Sequence, residues 1–244
     1  ARGLGLAMAE VLHANGASVS IFDMDPSVFD AARSLDPSGN TVNPVLVDVC
    51  DADALHAAIR DGHDRFGRLD IICANAGRGT GSGPSADVGR LEHVDDVAWA
   101  SILDLNLTAA MHTIQYAVPY MRRQGYGRVV VTSSMAGLRG EPLIGYAYAS
   151  TKAAIANLVR LAAYDLGRDN IVINAIAPGP FRTDIGNRRM FDPEVEQAFA
   201  ARVPLGRLGV PQEIKGLALL LASPAASYIN GSVISIDGGS VACG

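Results

Sequence analysis

The sequence has few cysteines, and they are not spaced to bind a metal or to form a disulfide framework. Three occur in 244 residues, Cys50, Cys73 and Cys243, and no two of them form a CxxC pair. The histidines form no HExxH or HxH pattern. Structural zinc sites depend on such spacings, and disulfides belong to oxidising compartments. We therefore expect free thiols, no metal site and a cytoplasmic location.

Long runs of one kind of residue are also absent. Lys and Arg number 20 against 25 Asp and Glu, a formal net charge of −5, and like charges do not cluster. Nucleic acids and anionic membrane surfaces attract strongly basic segments. No apolar run reaches the roughly 18 residues of a membrane span. We therefore expect neither nucleic acid nor a membrane as a partner.

The residues that are present suffice for one large hydrophobic core. Hydrophobic residues make up 49% of the chain. A chain of this length buries roughly 70 to 75% of its unfolded surface without metals or disulfides. No linker, repeat or low-complexity tract divides the sequence, so we predict a single domain over residues 1–244.

Short β-branched runs alternate with segments of helical periodicity. The predicted strands are 18–22, 45–49, 69–74, 128–133, 171–176 and 232–236. The predicted helices are 26–35, 52–66, 97–124, 147–166 and 211–222, preceded by one that ends at Asn15. This alternation predicts an α/β fold, a doubly wound parallel sheet with helices on both faces. Ligand-binding residues should lie at the carboxyl ends of its strands.

The first residues, ARGLG, have the form of the end of a glycine-rich turn that opens a helix. Such a turn follows a strand and lets a pyrophosphate approach the helix N-terminus. No strand precedes it here, so we expect the native polypeptide to carry roughly 10 to 20 further residues, including a buried strand, before Ala1. A tight helix entry without a ligand is the alternative interpretation.

Asp23 ends the next predicted strand, 20 residues beyond Gly3. At that place a carboxylate can accept hydrogen bonds from an adenosine ribose. The alternative is a solvated turn residue ahead of Asp25 and Pro26.

Tyr148 and Lys152 lie four residues apart on one predicted helix, so the phenol and the ammonium can converge. A tyrosine needs a nearby cation to act as an acid or base at neutral pH, since its ordinary pKa is about 10. A surface helix pair is the alternative. The pair Ser133 and Ser134, at the end of the preceding strand, favours a site.

These segments together resemble the short-chain dehydrogenase/reductase family, in its single-domain form, over essentially the whole chain. The matching pieces are ARGLG as the end of TGxxxGxG, Asp48-Val49, CANAG at 73–77, LDLNLT around Asn106, VTSSMAG around Ser134, YASTK at 148–152, 174–179, Thr183 and 236–239. In this order and at this spacing they are highly specific. The resemblance implies a Rossmann-type fold.

The resemblance also implies a catalytic set. Tyr148 is then the general acid/base, Lys152 lowers its pKa and binds the nicotinamide ribose, and Ser134 holds the substrate oxygen. Asn106 positions a water that links Lys152 to solvent and also repairs a helix kink. Ser133 caps the strand end instead of contacting substrate.

A dinucleotide site is implied in the same way. Its expected residues are Arg2, Gly3, Leu4, Gly5, Asp23, Asp48, Val49, Asn75, Ala76, Gly77, Tyr148, Lys152, Pro178, Gly179 and Thr183. Two of them conflict over the cofactor. NADP-using relatives often carry a basic residue at the position of Arg2, where it meets the 2′-phosphate, whereas Asp23 would repel that phosphate. Because Asp23 is anchored at a strand end, we predict NAD in preference to NADP.

The predicted function is hydride transfer between NAD and a secondary alcohol or ketone of small to medium size, polar or cyclic. An NADP-dependent ketone or 3-oxoacyl-type reductase and a non-catalytic dinucleotide-binding module are the alternatives. We expect a homotetramer, with helices 97–124 and 147–166 across one interface and strand 232–236 near another. The expected substrate pocket uses 78–84, Met135, Glu141, Leu143, Tyr146 and a lid over 182–201.

Overall fold

The computed structural model describes residues 1–79, 81–183 and 189–242. Its strands are β1 (Val19–Asp23), β2 (Val42–Leu46), β3 (Ile71–Ala74), β4 (Gly127–Thr132), β5 (Ile171–Pro178) and β6 (Val233–Ile236). Its helices are α1 (Gly3–Ala14), α2 (Val28–Leu35), α3 (Ala52–Phe66), α4 (Asp96–Leu103), α5 (Ala109–Gln124), α6 (Tyr146–Leu166), α7 (Pro193–Ala200) and α8 (Lys215–Ala222). The predicted α/β alternation is confirmed.

All strand pairs in the described residues are parallel. One hydrogen-bonded group has the order β1-β2 and the other has the order β3-β4-β5-β6. Every residue of β4 and β5 is buried. These two strands therefore form the centre of the core.

Helices cover both faces of the larger group. Val129, Val131 and Ile173 pack on one side with residues of α5 and α6. Val130 and Ile176 pack on the other side with residues of α1 and α8. Because neighbouring strand residues point to opposite faces, β4 serves both cores.

Strand β2 begins three residues before the predicted 45–49, which is a correction. Pro44 lies inside β2, which is at the end of its hydrogen-bonded group, where a proline is tolerated. Pairing of Val19 with Val42 and of Asp23 with Leu46 sets its limits.

The predicted helix 97–124 is two helices. A π-helical turn, Asp104–Thr108, separates α4 from α5. Helix α7, inside the predicted lid, is an element that the sequence interpretation did not assign.

Among the helices that the structure describes, none has both the length and the apolar character needed to cross a membrane.

Candidate active site

The carboxyl ends of the parallel strands bring the predicted site residues to one edge. Asp23 ends β1, Asn75 follows β3, Ser134 follows β4 by two residues, and Gly179 directly follows β5. Helix α1 begins at the same edge, because Gly5 touches Asn75. The geometry expected of a ligand site at the strand ends is present.

Tyr148, Lys152 and Ser134 meet where α6 passes the end of β4. The Ser134 hydroxyl lies close enough to the Tyr148 phenol to influence its pKa. The Lys152 ammonium lies 5.6 Å from the centre of the Tyr148 ring and donates a 2.7 Å hydrogen bond to the carbonyl oxygen of Thr132. Phenol, hydroxyl and ammonium thus surround one small volume.

Two contacts fix α6 against β4. The Ser133 hydroxyl donates a 2.9 Å hydrogen bond to the carbonyl oxygen of Lys152. Gly137 lies so close that a Cβ there would come within 2.5 Å of the Lys152 carbonyl carbon. The Ser133 hydroxyl therefore binds the backbone of α6, whereas the resemblance implied a cap on the strand end. The role of Ser134 toward the substrate stays a prediction.

Burial shifts the two titrating groups in opposite directions. Desolvation raises the pKa of Tyr148, and the interaction with Ser134 partly opposes that rise. This direction corrects the expectation that Lys152 lowers the pKa of Tyr148. Lys152 is only 3% exposed, and desolvation lowers its pKa to about 8. At neutral pH the phenol therefore holds its proton beside an ammonium that is still mostly charged.

Asn106 occupies the π-helical turn between α4 and α5 and is fully buried. Its Oδ1 accepts from the Arg78 amide at 2.9 Å, and its Nδ2 donates to the Arg78 carbonyl at 3.0 Å. A Cβ at Gly77 would lie 3.0 Å from Asn106 Oδ1 and 3.6 Å from Lys152 Nζ. Asn106 thus ties the segment after β3 to the kinked helix, next to Lys152; its role in placing a water stays a prediction.

The glycine turn forms a tight cradle at the start of α1. Gly3 has φ +57°, a conformation that favours glycine, and lies against Thr183. A Cβ at Gly5 would come 2.6 Å from Asn75 Nδ2. Arg2, at the N-cap, makes no side-chain hydrogen bond to the first turn. The uncapped amides and the space kept by two glycines suit a pyrophosphate.

Arg2 and Asp23 do not pair with each other. The Arg2 guanidinium lies 3.8 Å from the carboxylate of Asp25 and is largely exposed. Asp23 Oδ1 accepts a 3.0 Å hydrogen bond from the Asp25 amide. Asp23 is therefore held by the backbone, while Arg2 leans away from it.

The remaining predicted cofactor residues line the same edge. Asp48 lies beyond the end of β2, where its Oδ1 accepts from the Cys50 amide, and Val49 beside it is half-buried. Ala76 is exposed, whereas Pro178 and Thr183 are buried. Pro178 is the last residue of β5, and the other positions follow strand ends.

Two features escaped the sequence interpretation. Thr132 holds Lys152 with its carbonyl and Asn75 with its hydroxyl, the latter at 2.9 Å. Gly179 contacts Asp237, whose carboxylate accepts from the amides of Gly239 and Val241. In the sequence, only the position of Thr132 directly before Ser133 indicates that it lies at the site. Asp237 belongs to the family motif at 236–239, which gives it no role of its own.

Some predicted positions lie outside the described residues. They are Thr80 of the pocket segment 78–84, residues 184–188 of the lid 182–201, and Cys243.

Comparison with known proteins decides the family. The sequence pattern of the family described as enoyl-(acyl carrier protein) reductase matches residues 1–241. The chain belongs to the short-chain dehydrogenase/reductase family. It is 35% identical over 239 residues to a cis-4-hydroxycyclohexanecarboxylate dehydrogenase of Sinomonas cyclohexanicum, covering 98% of this chain and 92% of the relative.

Solved short-chain dehydrogenase/reductase structures have the same fold. Levodione reductase superposes with a TM-score of 0.90 at 32% identity, covering 100% of this chain and 95% of that one. A 3-oxoacyl-[acyl-carrier protein] reductase with bound NAD from Brucella melitensis gives 0.84 at 32% identity, covering 98% and 87%. The chain is an oxidoreductase of this family, which binds a nicotinamide cofactor, and the glycine cradle at α1 fits such a dinucleotide.

Proposed function

We propose that this chain transfers a hydride between a nicotinamide dinucleotide, NAD in preference to NADP, and a secondary alcohol or ketone. The observation that carries the proposal is the convergence of Tyr148, Lys152 and Ser134 beside the glycine cradle of α1. A phenol next to a buried ammonium suits proton exchange with a substrate oxygen.

The carboxyl edge of the sheet provides the dinucleotide site. Gly3 and Gly5 would admit the pyrophosphate, Asp23 would bind the adenosine ribose, and Asp48 would lie by the adenine. Gly179 would flank the nicotinamide. When bound, the nicotinamide accepts a hydride from the alcohol carbon or returns one to the carbonyl carbon.

The side chains of this protein handle the proton and the oxygen. In reduction, the Tyr148 hydroxyl gives its proton to the substrate oxygen as negative charge develops there, while Ser134 donates a hydrogen bond to that oxygen. In oxidation, the Tyr148 phenolate takes the alcohol proton as the C–O bond becomes C=O. The Lys152 ammonium stabilises the phenolate in either direction.

The preference for NAD rests on Asp23. Its carboxylate is anchored at the end of β1, and a 2′-phosphate on the same ribose would meet a like charge. Arg2 could offset that repulsion, but its guanidinium is oriented toward Asp25.

Further parts of the proposal concern the substrate and the assembly. The relative from Sinomonas is named for a ring alcohol, which supports a cyclic or polar substrate here. We also propose a cytoplasmic homotetramer. Large apolar side chains stand exposed on the helices assigned to one interface, Val97 on α4 and Leu161 and Tyr164 on α6.

A scan of secondary alcohols with NAD and of ketones with NADH, followed by nicotinamide absorbance, tests the proposed reaction. We expect turnover of ring alcohols or ketones that disappears in Tyr148→Phe. Dinucleotide binding without turnover of any compound would instead indicate a binding module.

A further inference from the structure

Glu141 is a buried carboxylate held by two arginines. Its side chain is 0% exposed. Oε2 lies 3.2 Å from Nη2 of Arg139, and Oε1 lies 3.2 Å from Nε of Arg202. Oε1 also accepts a 3.3 Å hydrogen bond from the amide of Leu143. A carboxylate removed from water is stable only with such partners.

The backbone around Glu141 joins two residues of the proposed site. Residues 138–145, the connecting segment, run from the turn that follows Ser134 to the start of the helix that carries Tyr148. The Arg139 amide donates to the carbonyl of Met135, and the Ile144 amide donates to the carbonyl of Glu141. This segment therefore connects the turn that follows Ser134 directly to the helix that carries Tyr148.

Arg202 belongs to a different part of the chain. It follows α7, and its amide donates a 3.0 Å hydrogen bond to the carbonyl of Phe199. Leu143 and Ile144 of the connecting segment pack against a cluster of Met190, Phe199 and Leu208. The ion pair and the apolar cluster thus join the same two segments side by side.

The charges in this cluster do not balance without Glu141. Two guanidinium groups share one carboxylate, and Nε of Arg139 is buried without a hydrogen-bond acceptor in the described part of the chain. Removing the carboxylate charge would leave Arg139 and Arg202 facing each other without compensation. Arg139, whose side chain is only 18% exposed, would then lack its ion-pair partner, which is unfavourable, so the two segments should be held together less tightly.

We propose that Glu141, clamped between Arg139 and Arg202, is a positioning residue that fixes the connecting segment as a wall of the substrate pocket. The proposal rests on the proposed function for its effect on substrate, though not for the clamp itself. The hydrogen bond from the Ser133 hydroxyl to the Lys152 carbonyl fixes the segment of Ser134 against the helix of Lys152 and does not involve the clamp. Loss of the clamp should therefore weaken substrate binding more than it slows proton transfer.

Kinetics of Arg202→Ala test the effect on substrate. Arg202 is 44% exposed, so this variant should fold even where Glu141→Gln does not. We expect KM for the alcohol or ketone to rise about tenfold, kcat to fall less than about threefold, and the dinucleotide Kd to stay within about twofold. Arg202→Lys, which keeps the positive charge, should raise the substrate KM much less than Arg202→Ala does. Where Glu141→Gln folds, adding Arg202→Ala to it should raise the substrate KM little further, because both changes break the same Glu141–Arg202 ion pair.

Arg68→Ala is the matched control. Arg68 pairs with Asp70 just before β3, at the opposite end of the sheet, and its loss should leave KM unchanged. If Arg202→Ala left the substrate KM within about twofold, or raised the dinucleotide Kd as much as KM, the positioning role would be wrong.

Hydrogen exchange, measured by mass spectrometry with NAD bound, tests whether the clamp holds the connecting segment in place and does not depend on turnover. Arg202→Ala should increase deuterium uptake in peptides covering 138–145 and leave α3 unchanged. Unchanged uptake in 138–145 would overturn the clamp. Absence of turnover in the parent protein would instead count against the proposed function, so the two failures are separable.

Discussion

The ammonium of Lys152 is hydrogen-bonded to the carbonyl oxygen of Thr132, and no carboxylate in the described residues pairs with it. A carbonyl dipole compensates a buried cation only partly, and the pKa of Lys152 is accordingly lowered to about 8. The ammonium lies 5.6 Å from the centre of the Tyr148 ring. It also loses its proton more readily than a lysine in water.

The pH dependence of ketone reduction should follow Lys152. The ammonium is charged below its pKa of about 8 and neutral above it, while the raised pKa of Tyr148 keeps the phenol protonated through this range. We expect reductive kcat/KM to be constant below about pH 8 and to fall above it. Lys152→Arg, where active, should move the decline upward by at least about one pH unit. A profile that stayed flat to about pH 10 would contradict this assignment.

Lys152 should also oppose folding. Its folded pKa of about 8 lies below the ordinary 10.5, so the unfolded chain binds more protons between these values and stability rises with pH across that window. At neutral pH the shift corresponds to about 3 kcal/mol, partly offset by the hydrogen bond to Thr132. Lys152→Met should therefore raise the melting temperature at pH 7 by at least about 3 °C while abolishing turnover. Lys215→Met, which removes a half-buried lysine paired with Glu10, is the control and should give no such gain.

Substitutions of Tyr148 and Lys152 should affect turnover and dinucleotide affinity differently. Tyr148→Phe removes the titrating oxygen and keeps the ring, so turnover should be lost with dinucleotide affinity nearly intact. Lys152→Ala should impair both, because one ammonium serves the phenol and the ribose. Steady-state kinetics and dinucleotide titration measure the two effects. Tyr148→Phe activity within about tenfold of the parent would refute the acid/base role.

Asp23 should set the choice of cofactor. We expect NAD to be preferred by at least about tenfold in kcat/KM, or roughly 1.4 kcal/mol, and Asp23→Ala to narrow or reverse that preference. Arg2→Ala should leave kcat/KM with NAD unchanged, since the Arg2 guanidinium faces Asp25. Kinetics with both cofactors provide the measurement. Equal or better efficiency with NADP in the parent would mean that Arg2 governs the site.

The exposed apolar residues of α6 should mark an interface. Light scattering at micromolar concentration should give the mass of a tetramer, and Tyr164→Glu should lower it, since Tyr164 is 87% exposed in the single chain. Phe29→Glu is the control, because Phe29 lies on α2, outside the predicted interfaces. A monomeric parent would contradict the assembly.

Local chemistry explains which elements the sequence predicted well. The limits of α3 match the prediction because Asp51 caps its first turn and Gly67, at φ +72°, ends it. Both signals are visible in the sequence. The kink at Asn106 was suggested by family resemblance alone, since the apolar periodicity continues through it.

Contacts between distant residues account for what the sequence did not predict. Thr132 holds Lys152 through its main-chain carbonyl, a group that every residue has. Glu141 was expected in the pocket, but its partner Arg202 lies 61 positions away, and nothing in the sequence joins that pair. Strand β2 was misplaced because its limits come from pairing with β1, not from its own composition.

The π-helical turn Asp104–Thr108 can be regarded as one surplus residue inserted into an otherwise regular helix. Deleting one residue there would let ordinary α-helical hydrogen bonds continue from α4 into the first turns of α5. It would also rotate the side chains on one side of the deletion by about 100° relative to the other. Asn106 could then no longer reach both main-chain groups of Arg78. A shortened protein would gain a more regular helix at the junction of α4 and α5 and would lose the contacts by which Asn106 holds the segment of Gly77 and Arg78 beside Lys152.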